Sequence, residues 1–255
     1  LETYIIIILC ISSFLAGLID AIAGGGGLIQ TPIALILLPN LPISNIIGSL
    51  KVPAITGTSI AAVHYLKNVS MHWKSLLIMA FFSCISAFLG SYLLTLVSNH
   101  FMKPLLFFIL FILAIYTFIK KDFGTHQPKN ISKNHFLYFG CIISSIIGFY
   151  DGFIGPGTGS FLIVSFIVIL GLDFLHASAH AKLVNIASNI GSLSLFILKG
   201  KIIWLIAIPM AICNGLGGWL GAKLAINKGN QFIRIFFLTV VIGTLIRLSY
   251  DIFIK

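Results

Sequence analysis

The chain has 255 residues, of which 58% are hydrophobic and only 9% charged, with a mean hydropathy of +1.09. Soluble domains carry about 25% charged residues, and 22 Phe beside 6 acidic residues leave too little polar surface to cover a globule in water, so soluble and disordered chains are both excluded. A net charge of +10 would point to nucleic acid in a soluble protein; in a chain this apolar it assigns basic loops to the anionic, cytoplasmic side of a bilayer, and nucleic acid is not expected as a partner.

A transmembrane helix needs about 20 mostly apolar residues. The sequence divides into eight such spans: 4–38 with a break, 43–66, 75–97, 102–119, 135–170 with a break, 174–198, 202–224 and 232–253. The predicted fold class is an all-α membrane protein. The polar connector around Lys120, Lys121 and Lys129 is too short to be a domain and reads as a basic linker over 120–134. Cys10, Cys84, Cys141 and Cys213 form no C-x-x-C pair and read as buried small hydrophobes.

Shifting the chain by 131 residues aligns 10–101 with 141–232 without a gap. The alignment pairs Gly17 with Gly148, Asp20 with Asp151, Gly24 with Gly155, Gly26 with Gly157, Lys51 with Lys182, Trp73 with Trp204 and Gly90 with Gly221. Rare residues in register mark a duplication. Two tandem four-helix repeats are expected, 1–119 and 135–255, the first helix of each broken at a Gly-rich motif. Residues 4–18 look like the apolar core of a secretory signal, but 136–149 look the same, so both read as part of the fold. An even number of spans per unit predicts parallel repeats. On that count Lys67, Lys74, Lys120, Lys121, Lys129, Lys133, Lys199, Lys201 and Lys255 share one face, against Lys103, Lys223, Lys228 and Arg234 on the other, which places both termini in the cytoplasm.

Four charged residues fall deep within spans: Asp20, Lys51, Asp151 and Lys182. Each costs at least about 2.5 to 3.5 kcal/mol at bilayer depth, which makes all four functional candidates. Beside the acids lie Gly24-Gly25-Gly26-Gly27 and Gly155-Pro156-Gly157-Thr158-Gly159, where a regular helix is costly. A helix that restarts there presents free N–H groups and a positive dipole end, which is an anion site. Gly25, Gly26, Gly157 and Thr158 are the predicted donors. Ser178, Lys182, Asn185, Asn189 and Ser192 follow at helical spacing and form one polar face. Lys51, Thr56 and Thr58 make a thinner version. The lysines attract the anion, while Asp20 and Asp151 are expected to pair with them in the empty site and to serve as candidates for a coupling proton.

Two other readings start from different residues. His176 and His180 at i and i+4 after Asp173 could line a divalent-metal permease. Two intramembrane acids, with Tyr150-Asp151, suggest an aspartyl protease, but no Gly-x-Gly-Asp partner motif exists and buried lysines oppose that chemistry. No enzyme activity is expected.

The paired motifs Gly17-x-x-Asp20-x-x-x-Gly24-Gly25-Gly26-Gly27 with Pro32, and Gly148-Phe149-Tyr150-Asp151-Gly152-Phe153-Ile154-Gly155-Pro156-Gly157-Thr158-Gly159, resemble the TauE/SafE sulfite and sulfonate exporter family, in its YfcA-like branch. Ala181-Lys182-Leu183-Val184-Asn185-Ile186-Ala187-Ser188-Asn189 is similar to the same family's second-repeat segment. The resemblance implies a bacterial inner-membrane secondary transporter for small sulfur-containing oxyanions such as sulfite or organosulfonates, without a cofactor, and leaves the oligomeric state open. Leu50, where the family often has Asn, and Ile163, opposite Pro32, depart from the pattern.

Overall fold

A computed structural model describes residues 2–67, 69, 71–98, 101, 102, 104, 105, 108 and 132–228. The described residues form eight α-helices: α1 (Thr3–Ala23), α2 (Gly27–Leu37), α3 (Ile43–Leu66), α4 (Trp73–Leu96), α5 (Lys133–Phe153), α6 (Thr158–Val168), α7 (Phe174–Leu198) and α8 (Trp204–Lys228). Six of them are long and apolar enough to cross a membrane, whereas α2 and α6, at 11 residues each, are not. The predicted spans at 102–119 and 232–253 and the linker at 120–134 lie outside the described residues, apart from a few positions at their edges.

Local chemistry sets the boundaries. The α1 helix stops at Gly24, whose φ of +76° is the left-handed cap that glycine adopts at little cost. Pro42 precedes α3 in an extended conformation, as a residue that cannot continue a helix behind it. Asp173 caps α7, its carboxylate accepting the His176 N–H at 2.9 Å.

Side-chain contacts fix the direction of each helix. The α2 helix steps backward along α1: a Cβ on Gly26 would meet the Ala16 carbonyl, Gln30 bonds Ser13, and Ala34 and Leu38 cluster with Leu9. The α6 helix likewise turns back along α5, with Phe161 against Tyr150 and Phe166 and Leu170 in the cluster of Ile143. Each glycine motif therefore reverses the chain. It does not kink a single broken span, as the sequence suggested, because the short helix is too apolar and too well packed on its predecessor to continue outward.

This reversal changes the topology. The α3 helix runs parallel to α1, with Ile46 beside Leu9 and Tyr65 donating to the Ala21 carbonyl at 2.9 Å. The α8 helix shares that sense, with the Ser13 hydroxyl on the Met210 carbonyl and Gly221 against Leu18. The α4, α5 and α7 helices form the opposing set: Gly140 meets Met79, Gly152 meets Ala87, and Phe136 faces His180. The α3 and α7 helices are antiparallel, since Gly48 lies on Phe196 while Lys182 and Thr58 converge on Asp20. So α1 and α5 point in opposite senses, and the expectation of parallel halves is corrected. It assumed that 4–38 crosses once. For the same reason the connection holding Lys67 lies at the opposite end of the bundle from that holding Lys199 and Lys201, so these bases do not share a face.

Long helices pack through small residues. Gly148 and Gly152 of α5 sit against Ser83 and Ala87 of α4, and Gly17 of α1 against Asn214 of α8, which brings backbones close enough for dispersion to replace a hydrophobic drive that lipid does not supply. Leu77, Phe81, Ile146 and Leu216 point outward, and Trp73 and Trp204, at opposite ends, are about half exposed, as interface anchors are.

Gly24 and Gly200 both have positive φ, but a Cβ at Gly24 would lie 2.4 Å from the Gly159 carbonyl carbon, whereas at Gly200 nothing stands within 4 Å. Gly200→Ala is expected to lose about 1–2 kcal/mol of stability through backbone strain alone. Gly24→Ala is expected to lose substantially more, read as a larger drop in the thermal unfolding midpoint of the detergent-solubilised protein.

Candidate functional site: crossed helix reversals

The two glycine reversals touch at the centre of the bundle. Ser160 donates its N–H to the Gly24 carbonyl at 2.9 Å and its hydroxyl to the Ala23 carbonyl at 2.7 Å. A Cβ on Gly159 would lie 2.5 Å from the Gly24 oxygen, so only bare backbone fits on both strands of the crossing. The N-termini of α2 and α6 thus end side by side in the interior. Outside the regular helices, the N–H groups of Gly25, Gly26 and Gly157 have no acceptor among the described residues, which leaves them as donors at two positive dipole ends.

Around the crossing lies a cavity of about 60 Å³, lined by Asp20, Gly26, Lys51, Asp151, Gly157, Thr158, Asn185 and Asn189 among others. By that measure a single water needs about 10–15 Å³, so the space holds a ligand of a few heavy atoms. Of the ten residues proposed from the sequence, Gly25 and Lys182 do not line it.

The buried charges are exchanged between the halves. Lys51 of α3 pairs with Asp151 of α5, Nζ to Oδ2 3.0 Å, and also donates to the Asp151 carbonyl at 2.8 Å. That carbonyl is open because the Gly155 N–H, its usual helical donor, has turned to Tyr150. Lys182 of α7 pairs with Asp20 of α1 at 2.9 Å and also donates to the Asp20 carbonyl. Hydroxyls complete both carboxylates: Thr158 and Ser188 donate to Asp151 at 2.9 and 2.8 Å, and Thr58 donates to Asp20 at 2.9 Å. Both lysines and Asp151 are nearly sealed, at 4%, 1% and 3% exposure. Isolated charges at that depth would be prohibitive, and here each has an opposite partner and hydrogen bonds.

The polar face of α7 divides in two. Asn185 and Asn189 reach the cavity, and the Asn189 amide nitrogen bonds the Asn185 carbonyls. Ser178 and Ser192 are buried with no hydrogen-bond partner among the described residues and do not line it. Sequence reasoning missed Gln30, Thr31 and Asn214, which also line it. Gln30 and Thr31 stand together in an otherwise apolar α2, and Asn214 interrupts an apolar stretch of α8, and those interruptions were the available signal. Repeat symmetry hid them, because Gln30 and Asn214 stand opposite Phe161 and Ser83 at the 131-residue offset.

His176 and His180 form no metal site with Asp173. The His176 imidazole is held by Asp173, the His180 Nδ1 faces the His176 carbonyl at 2.8 Å, and the described residues contain no group of three or more His, Cys, Asp or Glu that could hold a metal ion. Burial pushes the Asp173 carboxyl up, but the His176 backbone N–H and imidazole outweigh it and hold it below the usual carboxylate range.

Removing one member of a sealed pair strands the other. Lys182→Met is expected to destabilise the protein by about 3–5 kcal/mol, while Lys182→Met combined with Asp20→Leu recovers most of that loss. Chemical denaturation of the two variants in the same detergent measures both.

The family model for the sulfite exporter TauE/SafE matches residues 9–248. The chain is 34% identical over 252 residues to a Sinorhizobium protein named "Probable membrane transporter protein ORF9", covering 98% of this chain and 95% of the relative. It is 34% identical over 228 residues to a "Probable membrane transporter protein" of Haemophilus influenzae, covering 89% and 88%. It is 32% identical over 241 residues to "Probable membrane transporter protein YfcA" of Escherichia coli, covering 94% and 87%. No solved structure matches. An all-helical chain with spanning helices and buried interior charges, matched over nearly its whole length by these membrane transporters, belongs to the TauE/SafE sulfite exporter family.

Proposed function

We propose that the chain is a secondary transporter of small oxyanions, such as sulfite or organosulfonates, that binds its cargo in the central cavity. The observation that carries this reading is buried Lys51 on the wall of a small cavity into which two helix N-termini converge. A cation and unpartnered N–H groups are what an oxyanion needs to leave water. Lys51 binds the anion directly, with Gly26, Gly157, Thr158, Asn185 and Asn189 of the cavity wall as donors, Thr158 and Asn189 by release from Asp151 and Asn185, and with Gly25 adding its N–H dipole from outside the lining. Lys182 contributes its charge from behind Asp20. Asp20 and Asp151 hold the lysines in the empty site and are the candidates for the coupling proton.

The proposed architecture is two tandem repeats, 1–119 and 135–255, joined by the basic segment 120–134, with opposite senses in the membrane. Support comes from the 131-residue alignment and from the reciprocal order of long and short helices. Inverted halves around a central site with discontinuous helices are a recurrent transporter design. We assign the protein to the cell inner membrane. Lys67, Lys74, Lys133 and Lys223 gather toward one end of the bundle and Lys199 and Lys201 at the other. The positive-inside rule makes the first end cytoplasmic. The start of α1 then faces away from the cytoplasm, which replaces the placement of the N-terminus made from the span count.

Protein reconstituted in liposomes is expected to move labelled sulfite or a small sulfonate. Lys51→Ala and Lys182→Ala should each reduce the flux by about a hundredfold or more, given that a buried charge-assisted contact contributes about 3 kcal/mol. The doubly substituted Lys182→Met/Asp20→Leu protein, folded but without the pair, should remain inactive. Undiminished flux in Lys51→Ala would refute the assignment.

A further inference from the structure

The cavity has an acceptor wall opposite its donors. Gln30 and Asn214, each only 3% exposed, reach it from α2 and α8, and hydrogen bonding fixes which way both amides point. The Ser13 hydroxyl gives its proton to the Met210 carbonyl at 2.7 Å. It can therefore only accept from Gln30, so the atom 3.1 Å away is the Gln30 amide nitrogen. The Asn214 amide nitrogen is likewise fixed by the Ser13 carbonyl, an acceptor only, at 2.9 Å. The Asn214 amide oxygen is packed against Gly57 and Gly17 and is not offered to the cavity. The Gln30 amide oxygen is turned away from Ser13 and receives no hydrogen bond among the described residues. Asp20 adds a second acceptor: its Oδ2 takes Lys182 and Thr58, while its Oδ1 has no donor among the described residues.

The facing charges sum to zero: Lys51 and Lys182 from α3 and α7 are matched by Asp151 and Asp20 from α5 and α1, and the described parts of α2, α6 and α8 bring no charged residue to the cavity. A dianion placed there would meet the Asp20 oxygen that has no donor and the Gln30 carbonyl dipole, with nothing to give them. A monoanion that still carries an O–H would satisfy one acceptor and lower the repulsion. We propose that the site selects the protonated, hydroxyl-bearing monoanion of a small oxyacid, with the Gln30 amide oxygen and Asp20 Oδ1 as the acceptors that read its proton. This rests on the oxyanion reading above and narrows its cargo to the protonated form of an acid such as sulfite, with organosulfonates, which carry no O–H, as the weaker ligands. The preference belongs to one half only, since Phe161 stands at the offset position of Gln30.

Two isosteric probes differ by that one proton. At mildly acidic pH methylphosphonate is a monoanion with an O–H, whereas methanesulfonate is a monoanion without one. Titration calorimetry of the full chain in lipid nanodiscs, with sulfite as a third ligand, should find methylphosphonate binding about tenfold or more tighter than methanesulfonate, because the latter leaves a buried acceptor unmet. Gln30→Met, similar in size but without the acceptor, should narrow that ratio. The probe comparison uses the unmodified protein, so it stands even where the variant folds poorly. Equal or tighter binding of methanesulfonate overturns this inference and leaves the transporter reading intact. Absence of binding by all three anions overturns the transporter reading and this inference with it.

Discussion

The structure depends on the contact between two stretches of bare backbone, Gly24 on Gly159, in the middle of a membrane-spanning bundle. Irregular backbone is tolerated at such depth only where protein or a polar cavity meets its N–H and C=O groups. Each reversal supplies part of what the other needs, as when Ser160 gives both its N–H and its hydroxyl to the α1 end. Gly24 is therefore required twice, for a left-handed turn and for an approach that no side chain permits, and Gly159 for the approach.

From that crossing the placement of the charges follows. The reversal frees the Asp151 carbonyl at the end of α5, while the Asp20 carbonyl of α1 keeps the Gly24 N–H, and the lysines of α3 and α7 reach across to these carbonyls and to the adjoining carboxylates. Each ion pair joins one half of the chain to the other. The pairs thus serve as interior struts. On the proposed reading they are also a reserve of charge: when a ligand engages a lysine, the carboxylate it leaves must find a proton or another donor. Stability and the proposed binding would then draw on the same groups, which is why a neutral double replacement separates the two roles.

Helix existence and type were legible in the chain. Runs of apolar residues of sufficient length, ended by Gly, Pro or Asp, leave little alternative to helix where water is absent. The buried charges were legible too, because Asp20, Lys51, Asp151 and Lys182 stand out in so apolar a sequence. Direction was not legible. Whether α2 continues α1 or folds back along it depends on side-chain contacts such as Gln30 with Ser13, which no span count contains. One reversed helix in each half was enough to change the relation between the halves from parallel to opposed. The partner of each lysine was also hidden, since residues 100 and 162 positions apart meet only after the bundle closes.

The sequence by itself determined the solvent of this protein, the helical class, the duplicated pattern of rare residues and the anion-favouring chemistry of lysine beside glycine-rich helix starts, since these are properties of composition and spacing. Only the tertiary structure decided which way each helix points, which acid each lysine holds, and that Gln30, bound through its nitrogen to Ser13, borders the cavity with its oxygen unclaimed among the described residues. Those are consequences of long-range packing and of hydrogen-bond direction, where a carbonyl can only accept and a hydroxyl already committed as a donor can only receive.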